Sequence, residues 1–81
     1  MVDMTNLNAQ INIKVGTKVK LERTKRNISQ EKLAELAGIS KNFVGAIERG
    51  ESSPTVDTLA KIADAFGLTF SELTDISKVD L

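Results

Sequence analysis

Lys41 and Asn42 stand together at the head of a short amphipathic stretch, and the chemistry open to them is hydrogen bonding and charge pairing. The rest of the chain narrows the choice. It holds neither Cys nor His, which excludes disulfides, thiolate metal sites, a cysteine nucleophile and any histidine acid, base or ligand. Glu31 and Glu35 have the helical spacing of a carboxylate metal pair, but Lys32 between them and the lack of His make them a solvated face. No other grouping suits acid–base or covalent catalysis, so an enzyme, a metal centre and a cofactor are not expected. What remains is recognition by charge. From Lys14 to Arg49 there are nine basic residues against four acidic, and from Gly50 to Leu81 two against six. A formal net charge of zero, with an isoelectric point near 6.2, conceals this asymmetry. A basic half attracts phosphate locally even on a neutral molecule.

The elements that must position these side chains can be read from apolar spacing and capping residues. The central stretch, Gln30 to Arg49, holds two short helical patterns joined at Gly38. The first, Gln30 to Ala37, is capped by Ser29 and carries Leu33, Ala34, Leu36 and Ala37. The second is capped by Ser40, sets Val44 and Ile47 three apart on one face, and closes at Arg49-Gly50. Helices this short cannot stand alone, so they must pack on one another and on neighbours. Small residues at Ala34, Ala37 and Gly38 allow a steep crossing, which gives a helix-turn-helix.

Around it, a first helix is expected from about Ile13 to Arg26, with Val15 and Val19 one turn apart and Asn27 as its stop. Residues 1–11 are polar and without a period, and read as a loose arm. After the turn Glu51-Ser52-Ser53-Pro54, Thr55 caps a fourth helix, Val56 to Phe66, with Leu59, Ile62, Ala63 and Phe66 in a core stripe. Thr69 and Glu72 form a capping box for a short fifth helix, with Leu68 and Leu73 as its hydrophobic staple. The expected architecture is all-α: five helices over residues 12–76, then a tail at 77–81. With 41% hydrophobic residues, three Phe, no Trp and no Tyr, the core must be aliphatic, in a domain near the lower size limit for a single core. No apolar run exceeds four residues and the start MVDMTNLNAQ lacks a signal peptide's regions, so no membrane association is expected and a cytoplasmic location is the default.

With these residues placed, the chain resembles the DNA-binding domains of the Cro and phage-repressor helix-turn-helix family, the lambda repressor-like or XRE type. The resemblance is carried by Gln30, Leu33, Ala34, Ala37, Gly38, Ile39, Ser40, Val44, Ile47, Glu48 and Gly50. Arg23, Ser29, Ser53-Pro54 and Gly67-Leu68 extend it across roughly Val15 to Leu73. It implies that the third helix enters the major groove, with Lys41 and Asn42 at base edges. The family commonly has a longer polar side chain at the position of Ala46, where this chain has only a methyl to set against a thymine methyl. It implies phosphate contacts from Ser29, Gln30, Ser40, Phe43, Arg49 and Ser53, and an ion pair between Arg23 and Glu48. Family proteins of this size often dimerise through the last helix, which here offers Phe70, Leu73 and Ile76, with Val79 and Leu81 beyond.

Several of these residues have a second reading. Ser29 and Ser40 are helix caps first; Arg49 serves equally as a partner for a helix dipole; Phe43 suits packing over the helix edge; Phe70 suits the monomer core. Ser53 is explained by loop duty alone. The function the resemblance implies is a sequence-specific transcriptional regulator acting on double-stranded DNA, as a homodimer on a pseudo-palindromic operator. The alternative is a protein-interaction adaptor, or an antitoxin-like partner, that keeps the fold with weak or no DNA binding. Gly45 and Ala46 lean that way because they leave little beyond the first turn to read bases.

Overall fold

Ser29, Ser40, Thr55 and Thr69 share one conformation, extended backbone with a side-chain oxygen turned onto the amide three residues ahead. Each satisfies a donor that the first turn of a helix would otherwise leave open. At Thr69 the box is complete, since Glu72 Oε1 accepts from the Thr69 amide at 2.8 Å. These caps set the boundaries in the computed structural model, which describes residues 4–79. The helices are α1 (Met4–Lys25), α2 (Gln30–Ala37), α3 (Lys41–Glu48), α4 (Val56–Phe66) and α5 (Phe70–Thr74), and no strand occurs among the described residues.

The main departure from the expected elements is the start of α1. The helix begins at Met4, so residues 4–11 are helical where a loose arm was expected; residues 1–3 lie outside the described part. Nothing between Met4 and Val15 breaks a helix, neither Gly nor Pro. Extending a formed helix adds a hydrogen bond for each residue fixed, so the packed part of α1 propagates backward at little cost. The periodic signal was missing because this part has little to pack on, and Leu7, Ile11 and Ile13 are all exposed. At its other end α1 stops at Lys25, one residue short of the expected Arg26, and Asn27 takes the left-handed conformation with φ 57°.

The core is aliphatic. Leu33, Val44, Ile47, Ile62, Leu73 and Val19 are fully enclosed, joined by Ala34, Ala37, Leu59, Ala63 and Phe66. Each enclosed Leu, Ile or Val contributes about 1.5–3 kcal/mol relative to exposure. Gly38 ends α2 in the left-handed region at φ 69° and turns the chain into α3. Gly16 has a different task. A Cβ there would lie 2.1 Å from the Ile47 carbonyl oxygen, so only glycine lets α1 rest on the last turn of α3.

The end of the chain corrects another expectation. Leu73 is fully buried in the monomer, so it holds α5 to the core and offers no surface to a second copy. A helix of five residues has one apolar direction to spend, and here it points inward. Val79 is also buried, folding back beside Leu21 on α1; Leu81 lies outside the described residues.

Candidate nucleic-acid interface

The packing of α3 divides its eight residues. Val44 and Ile47 face inward and are buried, Gly45 is buried beneath the Arg49 guanidinium, and Lys41 and Asn42 are exposed in the first turn. Ala46 is half-buried, so beyond that turn the outward face offers a methyl group. Phe43 is half-buried and packed against the core, which is the packing alternative among its two readings. Ser40 is exposed and its hydroxyl oxygen accepts from the Phe43 amide at 3.0 Å. Ser29 does the same for the Lys32 amide at 2.9 Å. Both are therefore working caps, with a hydroxyl proton left to donate.

The angle of α3 is fixed at its far end by a carboxylate. Arg23 Nε donates to Glu48 Oε2 at 2.7 Å and Nη2 to Oε1 at 3.1 Å, a bidentate pair joining α1 to α3. The third donor, Nη1, reaches the Ile28 carbonyl at 2.8 Å and so ties down the link before α2. The side chains are 12% and 3% exposed, which removes most solvent screening from the pair. Glu48 holds the Arg23 guanidinium further above its already high ordinary value. Gln30, at the first position of α2, is half-buried and donates from Nε2 to Glu48 Oε1 at 3.0 Å.

Arg49 follows α3 and is exposed, pairing with Glu51 at 2.9 Å across the turn. Its guanidinium lies back over Gly45, where a Cβ would meet Nη1 at 2.9 Å. Ser53 is exposed in the loop that follows. The structure thus gathers Gln30, Gly45, Glu48 and Arg49 on one side of the α2–α3 unit. Phe70, at 39% exposure, and half-buried Ile76 belong to the α5 end of the chain.

The basic half of the chain is less free than its charge suggests. Glu22 is a buried acceptor on α1, with Arg26 at 2.7 Å, Lys18 at 3.3 Å and Lys25 at 3.8 Å. Arg26 also donates to the Phe66 carbonyl at 3.2 Å and lies 4.9 Å above the Phe66 ring centre. Lys18 reaches the Glu72 carbonyl at 3.1 Å. The Arg26 hydrogen bond lowers the Glu22 carboxyl from its ordinary value against the opposing effect of burial, and Lys18 adds to the lowering. Arg26 and Lys18 thus fasten α1 to α4 and α5. The i, i+4 spacing of Lys18, Glu22 and Arg26 is the sequence signal for this cluster, whereas the close approach at Gly16 and the Gln30–Glu48 bond have no local signal at all.

Comparison with known proteins agrees with this geometry. A helix-turn-helix family model matches residues 19–73. The HTH-type transcriptional regulator SutR of Escherichia coli K12 is 49% identical over 57 residues, covering 70% of this chain and 32% of SutR. The control protein C.BamHI of Bacillus amyloliquefaciens is 35% identical over 77 residues, covering 94% of this chain and 91% of that protein. Among solved structures, the restriction-modification controller protein C.AhdI of Aeromonas hydrophila has a TM-score of 0.75 at 34% identity, covering 76% of this chain and 94% of C.AhdI. The chain spans 60% of the phage repressor RstR of Vibrio cholerae and 41% of the immunity repressor of Bacillus phage phi105, so several relatives are considerably longer than the matched part. The matched span takes in the helices that carry the buried Arg23–Glu48 pair and the exposed start of α3, and the chain belongs to the helix-turn-helix family.

Proposed function

We propose that this protein is a sequence-specific DNA-binding transcriptional regulator that places α3 in the major groove and works as a homodimer on a pseudo-palindromic operator. The observation that carries the proposal is the division of α3. Its rear face is locked into the core, while Lys41 and Asn42 project from its first turn with donors suited to guanine and adenine edges. In the proposed complex Gln30, Arg49, Ser29, Ser40 and Ser53 are the phosphate ligands. The relatives named as regulators and control proteins support the same reading. One module makes few base contacts, so discrimination comes in large part from pairing two half-sites and from DNA shape. Neither a cofactor nor catalysis has a part in the proposal, and the site of action is the cytoplasm.

A second reading, an adaptor or antitoxin-like partner, draws on Gly45 and Ala46, which leave the middle of α3 without a polar reach. Selection from random duplex DNA followed by a salt titration separates the two. A DNA binder enriches a defined sequence, and its log affinity falls with log salt by about 0.9 for each phosphate neutralised. A flat titration with no enriched sequence overturns the regulator reading in favour of the adaptor.

A further inference from the structure

The Gln30–Glu48 hydrogen bond ties the first residue of α2 to a carboxylate held from elsewhere. Glu48 Oε1 accepts from Gln30 Nε2 at 3.0 Å and from Arg23 Nη2 at 3.1 Å, while Oε2 accepts from Arg23 Nε at 2.7 Å. Because the Glu48 side chain is 3% exposed, water does not compete for these positions. Arg23 is anchored in turn on the Ile28 carbonyl, so the chain of contacts runs from α1 through the end of α3 to the start of α2.

A primary amide has two N–H donors on one nitrogen. With one committed to Glu48, the plane of the Gln30 amide is fixed and its second N–H is directed away from the carboxylate. Gln30 stands in the first turn of α2, where backbone amides and the helix dipole favour an anion. Gly45 keeps the space clear: a Cβ there would crowd Arg49 Nη1 at 2.9 Å and touch Gln30 Oε1 at 3.8 Å. A carboxylate so close to a phosphate would ordinarily repel it, but the bidentate Arg23 neutralises Glu48.

We infer that Glu48 is a positioning residue for DNA binding, holding the Gln30 amide so that its remaining N–H donates to a backbone phosphate. Orienting the amide before contact removes the rotamer freedom that a solvated glutamine loses on binding. The inference rests on the DNA-binding reading proposed above. Within it, Glu48 acts on affinity through Gln30 as well as on the fold through Arg23.

The test measures affinity of the wild-type protein, Gln30→Ala, Glu48→Gln and the double variant for a duplex selected with the wild type, with circular dichroism confirming the fold. Gln30→Ala is expected to weaken binding about tenfold, the value of one hydrogen bond to a charged group. Glu48→Gln should weaken it by a similar factor, and the double variant no further. Losses that multiply in the double variant overturn the inference and leave the DNA-binding reading standing, whereas failure to select any duplex removes both. A second measurement needs no variant. In the free wild-type protein, nuclear magnetic resonance should find one Gln30 side-chain amide proton exchanging more slowly than those of exposed Gln10, and the other shifting when duplex is added. Gln30 protons that exchange as fast as those of Gln10 overturn the inference even if Glu48→Gln does not fold.

Discussion

Glu48 holds two elements at once, since one carboxylate serves Arg23 and Gln30 from a nearly dry position. Removing it leaves Arg23 buried without its counter-charge, which costs on the order of 3–5 kcal/mol. That is a large part of the stability of a domain this small. Glu48→Ala is therefore expected to lose thermal stability and DNA binding together, and an unchanged melting temperature would refute the role given to the pair. Arg49 presents the opposite case. Its partner Glu51 is exposed and competes with any phosphate for the guanidinium. Glu51→Gln should raise affinity for the selected duplex by about two- to fivefold, the range of an exposed ion pair, and steepen the salt dependence. Equal affinities in a filter-binding titration would place Arg49 outside the contact.

Acid stability is also decided by individual side chains. The folded protein holds Glu22 below its ordinary value of 4.5, chiefly through Arg26. The native state thus favours the ionised carboxylate. The stabilisation is fully present above the unfolded value and disappears as pH falls through the lower folded one. Glu72, held low by the Thr69 amide, and Asp75, held low by the Ser77 hydroxyl, act in the same direction. Melting temperature should hold between about pH 7 and pH 5 and drop below about pH 4.5, with a shallower drop in Glu22→Gln. A variant whose acid limb superimposes on that of the wild type would show that Glu22 contributes nothing.

Among the elements, α1 is the one whose form depends most on its surroundings. Its second half is fastened by Val19, Glu22, Arg23 and Arg26, and its contact with α3 turns on Gly16. Alanine normally strengthens a helix by about 1 kcal/mol over glycine. At Gly16 the Cβ would meet the Ile47 carbonyl, so Gly16→Ala is expected to destabilise by about 1–3 kcal/mol in urea unfolding. A stabilised variant would show that α1 and α3 have room to part.

The same element contains the part of the fold that leaves no signal in the sequence. The four later helices were legible because each combines a cap with an apolar stripe, as with Thr55 followed by Leu59, Ile62, Ala63 and Phe66. The first part of α1 has neither, and its polar residues gave no sign of a helix that propagates from the packed half. At the site, the exposed positions Lys41 and Asn42 and the Arg23–Glu48 pair were legible by family resemblance. The Gln30–Glu48 bond was not, because eighteen residues separate its ends and only the crossing of α2 and α3 brings them together. Leu73 suits both staple and interface by its spacing, and the packing of so short a helix allows only the inward role.

For the whole molecule the open quantity is the number of copies. With Leu73 enclosed, a dimer formed at the α5 end has Phe70 and the half-buried Ile76 to work with. The proposed operator geometry requires a two-fold assembly, because half-site spacing mirrors the symmetry of the protein. Sedimentation at tens of micromolar is expected to give a dimer for the wild type and to shift toward monomer for Phe70→Ala. A monomer for both would refute the homodimer and leave DNA binding to a single module.

The division of α3 also bears on how the protein could change its target. Val44, Ile47 and Glu48 are committed to the inside and Gly45 to the space beneath Arg49, each answerable to a neighbour. Lys41 and Asn42, exposed in the first turn, carry no such obligation. In the proposed complex the fold and the address are written in separate letters of the same helix, so substitutions at Lys41 and Asn42 would change base preference without disturbing the core.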